Sequence, residues 1–111
     1  MWIMIAGPYS SGGASESQRL RNLAALNKAA LAVFEKGHVP LIGVNLALPI
    51  CEVAGPARYE DIMMPLSLAL SERCDACLRI TGASVGADQE VDRFKASGRP
   101  VFHKTEDIPV V

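Results

Sequence analysis

Short apolar runs recur along this chain, and the longer stretches between them carry apolar residues at helical spacing. The runs are Trp2–Ala6, Val39–Val44 and Ala76–Ile80, followed by the pair Val101-Phe102, and the tail Thr105–Val111 is a candidate edge strand. The central residues of the second run are apolar on both faces, which is typical of a strand in a buried parallel sheet. The alternation predicts a small doubly wound α/β fold, Rossmann-like or flavodoxin-like, with a parallel sheet of four to five strands flanked by helices.

The first helix is predicted by its capping residues. Ser15 with Gln18 three residues later is a capping-box signature, and the helix runs to about Lys36 because Gly37 follows as a C-terminal cap. One face carries Leu20, Leu23, Asn27, Ala30, Leu31 and Phe34. Such an apolar face is expected to pack against the rest of the protein.

Prolines and glycines divide the middle of the chain. They interrupt Asn45–Arg58, which predicts a loop or a partly helical insertion. Tyr59–Met64 is expected to be a helical turn, and Pro65 to open a separate helix, Leu66–Arg73, since proline suits the first position of a helix. The last helix is predicted over Val85–Ser97.

Length, charge and composition restrict the class of protein. The 111 residues predict one domain, residues 1–111, and half of them are apolar. Eleven basic and twelve acidic residues give a net charge of −1 without a basic stripe, which argues against duplex nucleic acid as a partner. No apolar run approaches the ~20 residues that span a bilayer, and the apolar start runs directly into Gly7-Pro8, so neither a membrane segment nor a signal peptide is expected.

The cysteines indicate a cellular compartment. Cys51, Cys74 and Cys77 are an odd number, and buried thiols in a reducing cytoplasm are the simplest interpretation. Cys74 and Cys77 match C-x-x-C, but they enter a strand from the end of a helix, whereas redox pairs lie at a helix N-terminus. No second Cys or His pair stands at zinc-ligand spacing, so no metal and no cofactor are predicted.

The segment Ser84–Glu90 carries the candidate chemistry. It follows the run Ala76–Ile80, and its pattern predicts a tight loop that opens a helix, with Ser84 and Gly86 in the loop and Glu90 about one turn inside the helix. A helix N-terminus presents unpaired N–H groups and favours an anion such as a phosphate. A carboxylate directly behind that position indicates chemistry on a phosphorylated or hydroxyl-rich small molecule.

Two further segments are expected to meet this loop, because ligands of such sheets bind beyond the carboxyl ends of the strands. They are Gly7–Gly13, which contains Tyr9, and the residues that follow Val44, beginning with Asn45. The first segment matches neither G-x-G-x-x-G nor the P-loop, so neither dinucleotide nor nucleoside-triphosphate binding is indicated.

Each of these residues also has an ordinary structural interpretation. Glu90 can be a first-turn glutamate that the helix dipole favours, although its register with Val91 and Phe94 places it toward the sheet. Ser84 and Gly86 are common turn residues. Tyr9 can be a surface aromatic residue, and the serines and glycines after it a flexible loop.

The chain resembles the nucleoside 2-deoxyribosyltransferase superfamily, and most of all a branch of small bacterial proteins. The resemblance extends from Ile5 to Val101. Its matching segments are Ile5-Ala6-Gly7-Pro8-Tyr9-Ser10, Gly37-His38-Val39-Pro40, Cys74-Asp75-Ala76 and Ser84-x-Gly86-x-x-x-Glu90. The last spacing is also similar to that of the 2′-deoxynucleoside 5′-monophosphate N-glycosidases.

The resemblance implies a retaining glycosyl transfer on a nucleoside or nucleotide. Glu90 would attack C1′, expel the base and form a glycosyl ester, which water or a second base would resolve. Tyr9 would contact the sugar and orient the glutamate. The residues implied to bind the substrate are Gly7, Pro8, Ser10, Ser11, Gly12, Gly13, Asn45, Ser84 and Gly86.

One position departs from the pattern of the superfamily. Its enzymes place an aspartate on the helix before the third strand to assist protonation of the departing base, and Ser67 occupies that position here. Asp61 lies nearly two turns earlier and would reach the site only if the chain bends at Pro65. The sequence therefore leaves two main hypotheses, an N-glycosidase or deoxyribosyltransferase and a non-catalytic binding module for nucleotide or ribosyl ligands. Catalysis on another N- or O-ribosyl compound is a third possibility.

A homodimer or larger homo-oligomer is also predicted, because a small chain with this apolar fraction leaves apolar surface to cover. Relatives in the resembled superfamily complete their sites with residues of an adjacent subunit. The residues expected at the contact are Leu46, Leu48, Ile50, Val53, Met63 and Met64.

Overall fold

The central element is a sheet of four parallel strands in the order β2-β1-β3-β4. In the computed structural model, which describes residues 1–111, the strands are β1 (Trp2–Ala6), β2 (Val39–Leu41), β3 (Ala76–Arg79) and β4 (Val101–Phe102). Strand β1 is central, and its Met4 pairs with Leu41 on one side and Cys77 on the other. The predicted doubly wound α/β fold is confirmed, and the tail adds no fifth strand.

Four helices connect and flank the strands. They are α1 (Glu16–Glu35), α2 (Gly43–Ala54), α3 (Tyr59–Ser71) and α4 (Val85–Ala96), with single 3₁₀ turns at Ser11–Gly13, Pro56–Arg58 and Thr105–Asp107. None of these helices is both long and apolar enough to cross a membrane. Strand β1 lies between β2 and β3, so the connection from β1 to β2 and the connection to β3 run to opposite sides of β1. This reversal creates a crevice at the carboxyl edge of the sheet.

The alternation of side chains along β1 produces a core on each face of the sheet. Ile3 and Ile5 pack with Leu26 and Val33 of α1, whereas Met4 and Ala6 pack with residues of α4. These side chains are buried because consecutive strand residues point to opposite faces and both faces are covered by helices. The sheet therefore holds the ends of β1 and β3 firmly against both helix layers.

The middle of the chain differs from its prediction. Strand β2 ends at Leu41, not at Val44, and of the two alternatives for Asn45–Arg58 the structure has the helical one, with α2 and a 3₁₀ turn. Helix α3 also runs without a break through Pro65, which is not its first residue. A proline inside a helix costs about 3 kcal/mol. Ala47, Cys51 and Met63 form a core shared by the two helices, with Leu66 packed against it. Cys51 and Leu66 lie beyond Pro49 and Pro65, so the full core forms only when both helices continue past their prolines.

Helix α1 presents its most apolar face to solvent, contrary to expectation. Leu23 and Ala30 pack against the core, but Leu20, Leu31 and Phe34 are 65%, 58% and 64% exposed. The core contact is made instead by the neighbouring face, which carries Leu26 and Val33. Both faces are apolar, and only packing on the sheet decides which of them is buried.

Candidate active site

A cavity of about 250 Å³ opens at the carboxyl edge of the sheet, between the ends of β1 and β3. The start of α2, the cavity-facing side of α3 and the first turns of α4 complete its wall. Eight of the eleven predicted site residues line it, namely Gly7, Tyr9, Ser10, Ser11, Gly12, Ser84, Gly86 and Glu90. The structure thus brings Tyr9 and Glu90 to one cavity at one edge of the sheet.

Three predicted site residues lie outside the cavity lining. Pro8 packs on Gly82, whose φ is +117° and where a Cβ would lie 2.7 Å from the proline Cγ. Gly13 ends the 3₁₀ turn with a φ of +70°. Asn45 is an exposed residue of α2, and its Nδ2 donates to Oδ1 of Asn27 at 2.7 Å. The amide of Asn45 therefore links α2 to α1.

Packing fixes the loop after β1. A side chain at Gly7 would collide with Ile80, since a Cβ would stand 2.9 Å from its Cδ1 and closer still to its Cγ1. Asn22 of α1 donates from its Nδ2 to the carbonyl of Tyr9 at 2.7 Å. These contacts hold the backbone at Tyr9 at the rim of the cavity.

Ser10 connects this loop to α3. Its Oγ lies 2.9 Å from the hydroxyl of Tyr59, the first residue of α3. Burial raises the pKa of the Tyr59 phenol above its ordinary value of 10.0. No sequence pattern marks Tyr59 as a site residue, because only the fold brings these two residues together.

Glu90 is the most unusual side chain of the cavity. Ser84 caps α4, its Oγ accepting from the N–H of Ala87 at 3.1 Å, and Glu90 follows on the buried face of the helix. Its residue exposure is 9%, and no hydrogen bond within the protein holds the carboxylate. Burial raises its pKa from 4.5 to about 7, while the charge of Arg79 opposes part of that shift. Glu90 can therefore gain or lose a proton near neutral pH.

Arg79 is a positioning residue that the sequence interpretation missed. Its guanidinium donates to the carbonyls of Ile80 and Gly82 and pairs with Asp88 of α4 at 3.2 Å. The side chain is only 12% exposed. Arg79 thus fastens the β3–α4 loop to the helix that carries Glu90. The sequence signal that could have identified Arg79 is that it is the single charged residue in the apolar run Ala76–Ile80.

Helix α3 contributes a second group of lining residues, of which only Ser67 was connected with the site from the sequence. Glu60, Met63, Met64 and Ser67 all line the cavity, at the spacing of one helix face. Treating Pro65 as a helix start concealed this periodicity. Asp61 is directed to the surface, where it pairs with Arg58 at 3.3 Å, and it does not line the cavity.

The two cysteines of the C-x-x-C pair are free thiols in the core beneath the site. Burial raises the pKa of Cys74 to about 11 and that of Cys77 to about 12. A redox pair requires the opposite shift, since its reactivity depends on a stable thiolate. Both residues therefore act as small apolar side chains of the core.

Comparison with known proteins adds no assignment. No protein-family model matches the chain, and no curated protein matches it either. The resemblance to the nucleoside 2-deoxyribosyltransferase superfamily therefore stays a prediction from quoted motifs.

Proposed function

We propose that this protein cleaves or exchanges the N-glycosidic bond of a nucleoside or nucleotide, as the resemblance to the nucleoside 2-deoxyribosyltransferase superfamily implies. The observation that carries the proposal is Glu90, a buried and unpaired carboxylate that shares a cavity with Tyr9. A carboxylate without hydrogen-bond donors keeps its nucleophilicity, and one that lines a cavity can be reached by a ligand.

The reaction proceeds in two displacements. A carboxylate oxygen of Glu90 attacks C1′, the bond from C1′ to the base nitrogen breaks, and its electron pair leaves with the base. Water or an acceptor base then attacks C1′ of the ester and frees the carboxylate. The rim residues Tyr9, Ser10 and Ser84 are suited to bind the hydroxyl groups of the sugar or its 5′ substituent.

The alternative is a binding module for a ribosyl ligand without catalysis. Ser67 favours it, because a serine stands where the resembled enzymes carry their acid. A general acid is typically worth about 10²–10⁴ in rate, so its loss would leave a much weaker enzyme. The two proposals share the cavity and the ligand class, and they differ only in turnover.

Base release distinguishes them. Deoxynucleosides, ribonucleosides and their 5′-monophosphates are incubated with the wild type and with Glu90→Ala, and free base is measured by chromatography. Release by the wild type but not by Glu90→Ala supports the enzyme. Saturable binding to both proteins without release supports the module, and neither binding nor release refutes both.

We also propose that the protein self-associates through α1. The exposed residues Leu20, Ala24, Asn27, Leu31 and Phe34 follow one another at alternating spacings of four and three, as in a coiled-coil seam. Leu20 and Phe34 lie equally far from Asn27, so an antiparallel second copy would place each against the other. Such a seam is self-complementary, with a polar residue at its centre to fix the register.

Helix α2 extends this surface, because Asn45 bonds to Asn27 and the neighbouring Leu46 and Ile50 are 46% exposed. Val53 is exposed as well, whereas Leu48, Met63 and Met64 are at least partly covered within the protomer. A reducing cytoplasm is the compartment that we propose, since all three cysteines are buried and unpaired.

A further inference from the structure

The charge of the cavity is negative. Glu60 and Glu90 are the only charged side chains that line it, and no arginine, lysine or histidine does so. Arg79, the cation whose charge acts on Glu90, is already bonded to Asp88 and to backbone carbonyls. A phosphate would therefore enter beside two carboxylates with only the N-terminus of α4 to attract it, whereas a cation would be favoured.

No side chain pairs with Glu90, and the charge of Arg79 offsets only part of the effect of burial. Glu90 is more than nine-tenths buried and accepts no hydrogen bond from the protein. An uncompensated carboxylate in such a place is costly, and its raised pKa is the measure of that cost. A positively charged ligand would supply the missing partner and hold Glu90 in the ionised form that a nucleophile needs.

The two carboxylates lie at opposite ends of the cavity. Both α3 and α4 run away from the carboxyl edge, because α3 leads into the start of β3 and α4 follows its end. Met64 stands opposite Gly86, where an added Cβ would lie 3.6 Å from the sulfur. Glu60 is one turn nearer the mouth than Met64, and Glu90 is one turn deeper than Gly86, which separates them by roughly 11 Å along the helices.

This separation matches a glycoside whose sugar lies at Glu90 and whose base points outward to Glu60. The thioether of Met64 lies between them, where it can pack against a flat ring. The two aromatic residues of the lining, Tyr9 and Tyr59, offer ring faces of the kind that attract cations.

The absence of an acidic side chain at position 67 also favours a positively charged ligand. A neutral base departs as an anion unless it receives a proton, and Ser67 is a poor donor. A base that is positively charged in the substrate departs as a neutral molecule and needs no proton. A site with a nucleophile, no acid and a negative wall is therefore suited to a cationic leaving group.

We propose that the substrate is a positively charged N-glycoside, such as a pyridinium nucleoside, and that Glu60 selects it at the mouth of the cavity. The proposal rests on the proposed function and names its substrate class. The electron pair of the bond from C1′ to the base neutralises the cationic nitrogen as Glu90 forms the ester. Water then adds at C1′, releases the Glu90 carboxylate and yields the sugar and one proton.

The test compares three probes on the full chain. They are nicotinamide riboside, which is cationic, its 5′-monophosphate, and the neutral nucleoside inosine. We expect kcat/KM, relative to each uncatalysed rate, to be at least 100-fold higher for the cationic riboside than for inosine and at least tenfold higher than for the phosphate. Glu60→Gln should lower the preference for the cation over its phosphate about tenfold, and Glu60→Lys should reverse it.

Asp61→Asn is the matched control, because Asp61 adjoins Glu60 in sequence but pairs with Arg58 at the surface. It should leave the preference unchanged. Equal kcat/KM for the three probes, or a preference that Glu60→Gln does not alter, overturns the proposal while the N-glycosidase function stands. No release and no binding of any nucleoside by the wild type would overturn the proposed function itself.

Discussion

Gly43 and Ser67 meet where α2 crosses α3. A Cβ built on Gly43 would collide with Oγ of Ser67 and stand 2.9 Å from its Cβ. Ser67 is 5% exposed, so the contact closes one end of the cavity wall. Both residues line the cavity, and Gly43 leaves no room for a side chain of its own beside Ser67, the position at which the resembled superfamily carries its acid.

Substitution of this glycine is expected to destabilise the protein. Gly43→Ala should lower the free energy of unfolding by roughly 1–3 kcal/mol, the usual cost of overpacking, as measured by urea denaturation. Ser67→Gly in the same chain should recover part of the loss. Gly86→Ala is the control, since its Cβ would meet Met64 at an ordinary distance, and an equal loss there would contradict the explanation.

The ionised carboxylate of Glu90 is expected to lower the free energy of unfolding at and above neutral pH. Its folded pKa of about 7 lies above the ordinary 4.5, so its protonated form is favoured in the folded state. The stability from this group is complete below about pH 4.5 and is lost as the pH rises through 7. Glu90→Gln should therefore be more stable than the wild type at pH 8, by roughly 3 kcal/mol at most.

The advantage of Glu90→Gln should disappear as the pH falls to about 4.5, where the wild-type carboxyl is protonated as well. Thermal denaturation of both proteins across this range measures it. Glu35→Gln is a suitable control, because Glu35 is an exposed residue at the end of α1. A wild type that is the more stable protein at pH 8 would show that the Glu90 carboxylate is compensated.

Arg79 is expected to hold down the pKa of Glu90. Its charge opposes the effect of burial, so Arg79→Met should move the titration midpoint of Glu90 upward from about 7. Carbon-13 NMR of the glutamate carboxyls follows this midpoint directly. Arg93→Met, which removes only the surface pair with Glu72, should leave it unchanged. A downward shift in Arg79→Met would disprove the assignment.

The proposed reaction should follow the same ionisation. Because the nucleophile must be a carboxylate, kcat/KM for base release should fall about tenfold per pH unit below roughly pH 7. Above that pH it should be level. A rate that increases as the pH falls from 7 to 5 would mean that Glu90 acts in its protonated form, as an acid and not as a nucleophile.

Self-association through α1 is expected to depend on Leu31. Leu31→Glu places a charge within the apolar seam, so light scattering at micromolar concentration should show a loss of the dimer mass. Val110→Glu changes an exposed apolar residue of the tail and should have no effect. A wild-type protein with the mass of a single chain would contradict the proposed seam.

The sequence alone determined the strands, the order of the elements and the outline of the site. The apolar runs and the capping residues Ser15 and Ser84 act locally, so they specify strands and helix starts without distant contacts. Tyr9 and Glu90 could be placed at one edge because residues that follow parallel strands necessarily meet there.

Tertiary structure alone decided the rest, since it depends on residues far apart in the chain. Pro49 and Pro65 remain inside helices only because α2 and α3 bury a shared core. Packing against the sheet determined which apolar face of α1 is buried. The same long-range packing places Glu60 in the cavity of Glu90 and places Arg79 close enough for its charge to act on Glu90. No local pattern of residues encodes these positions.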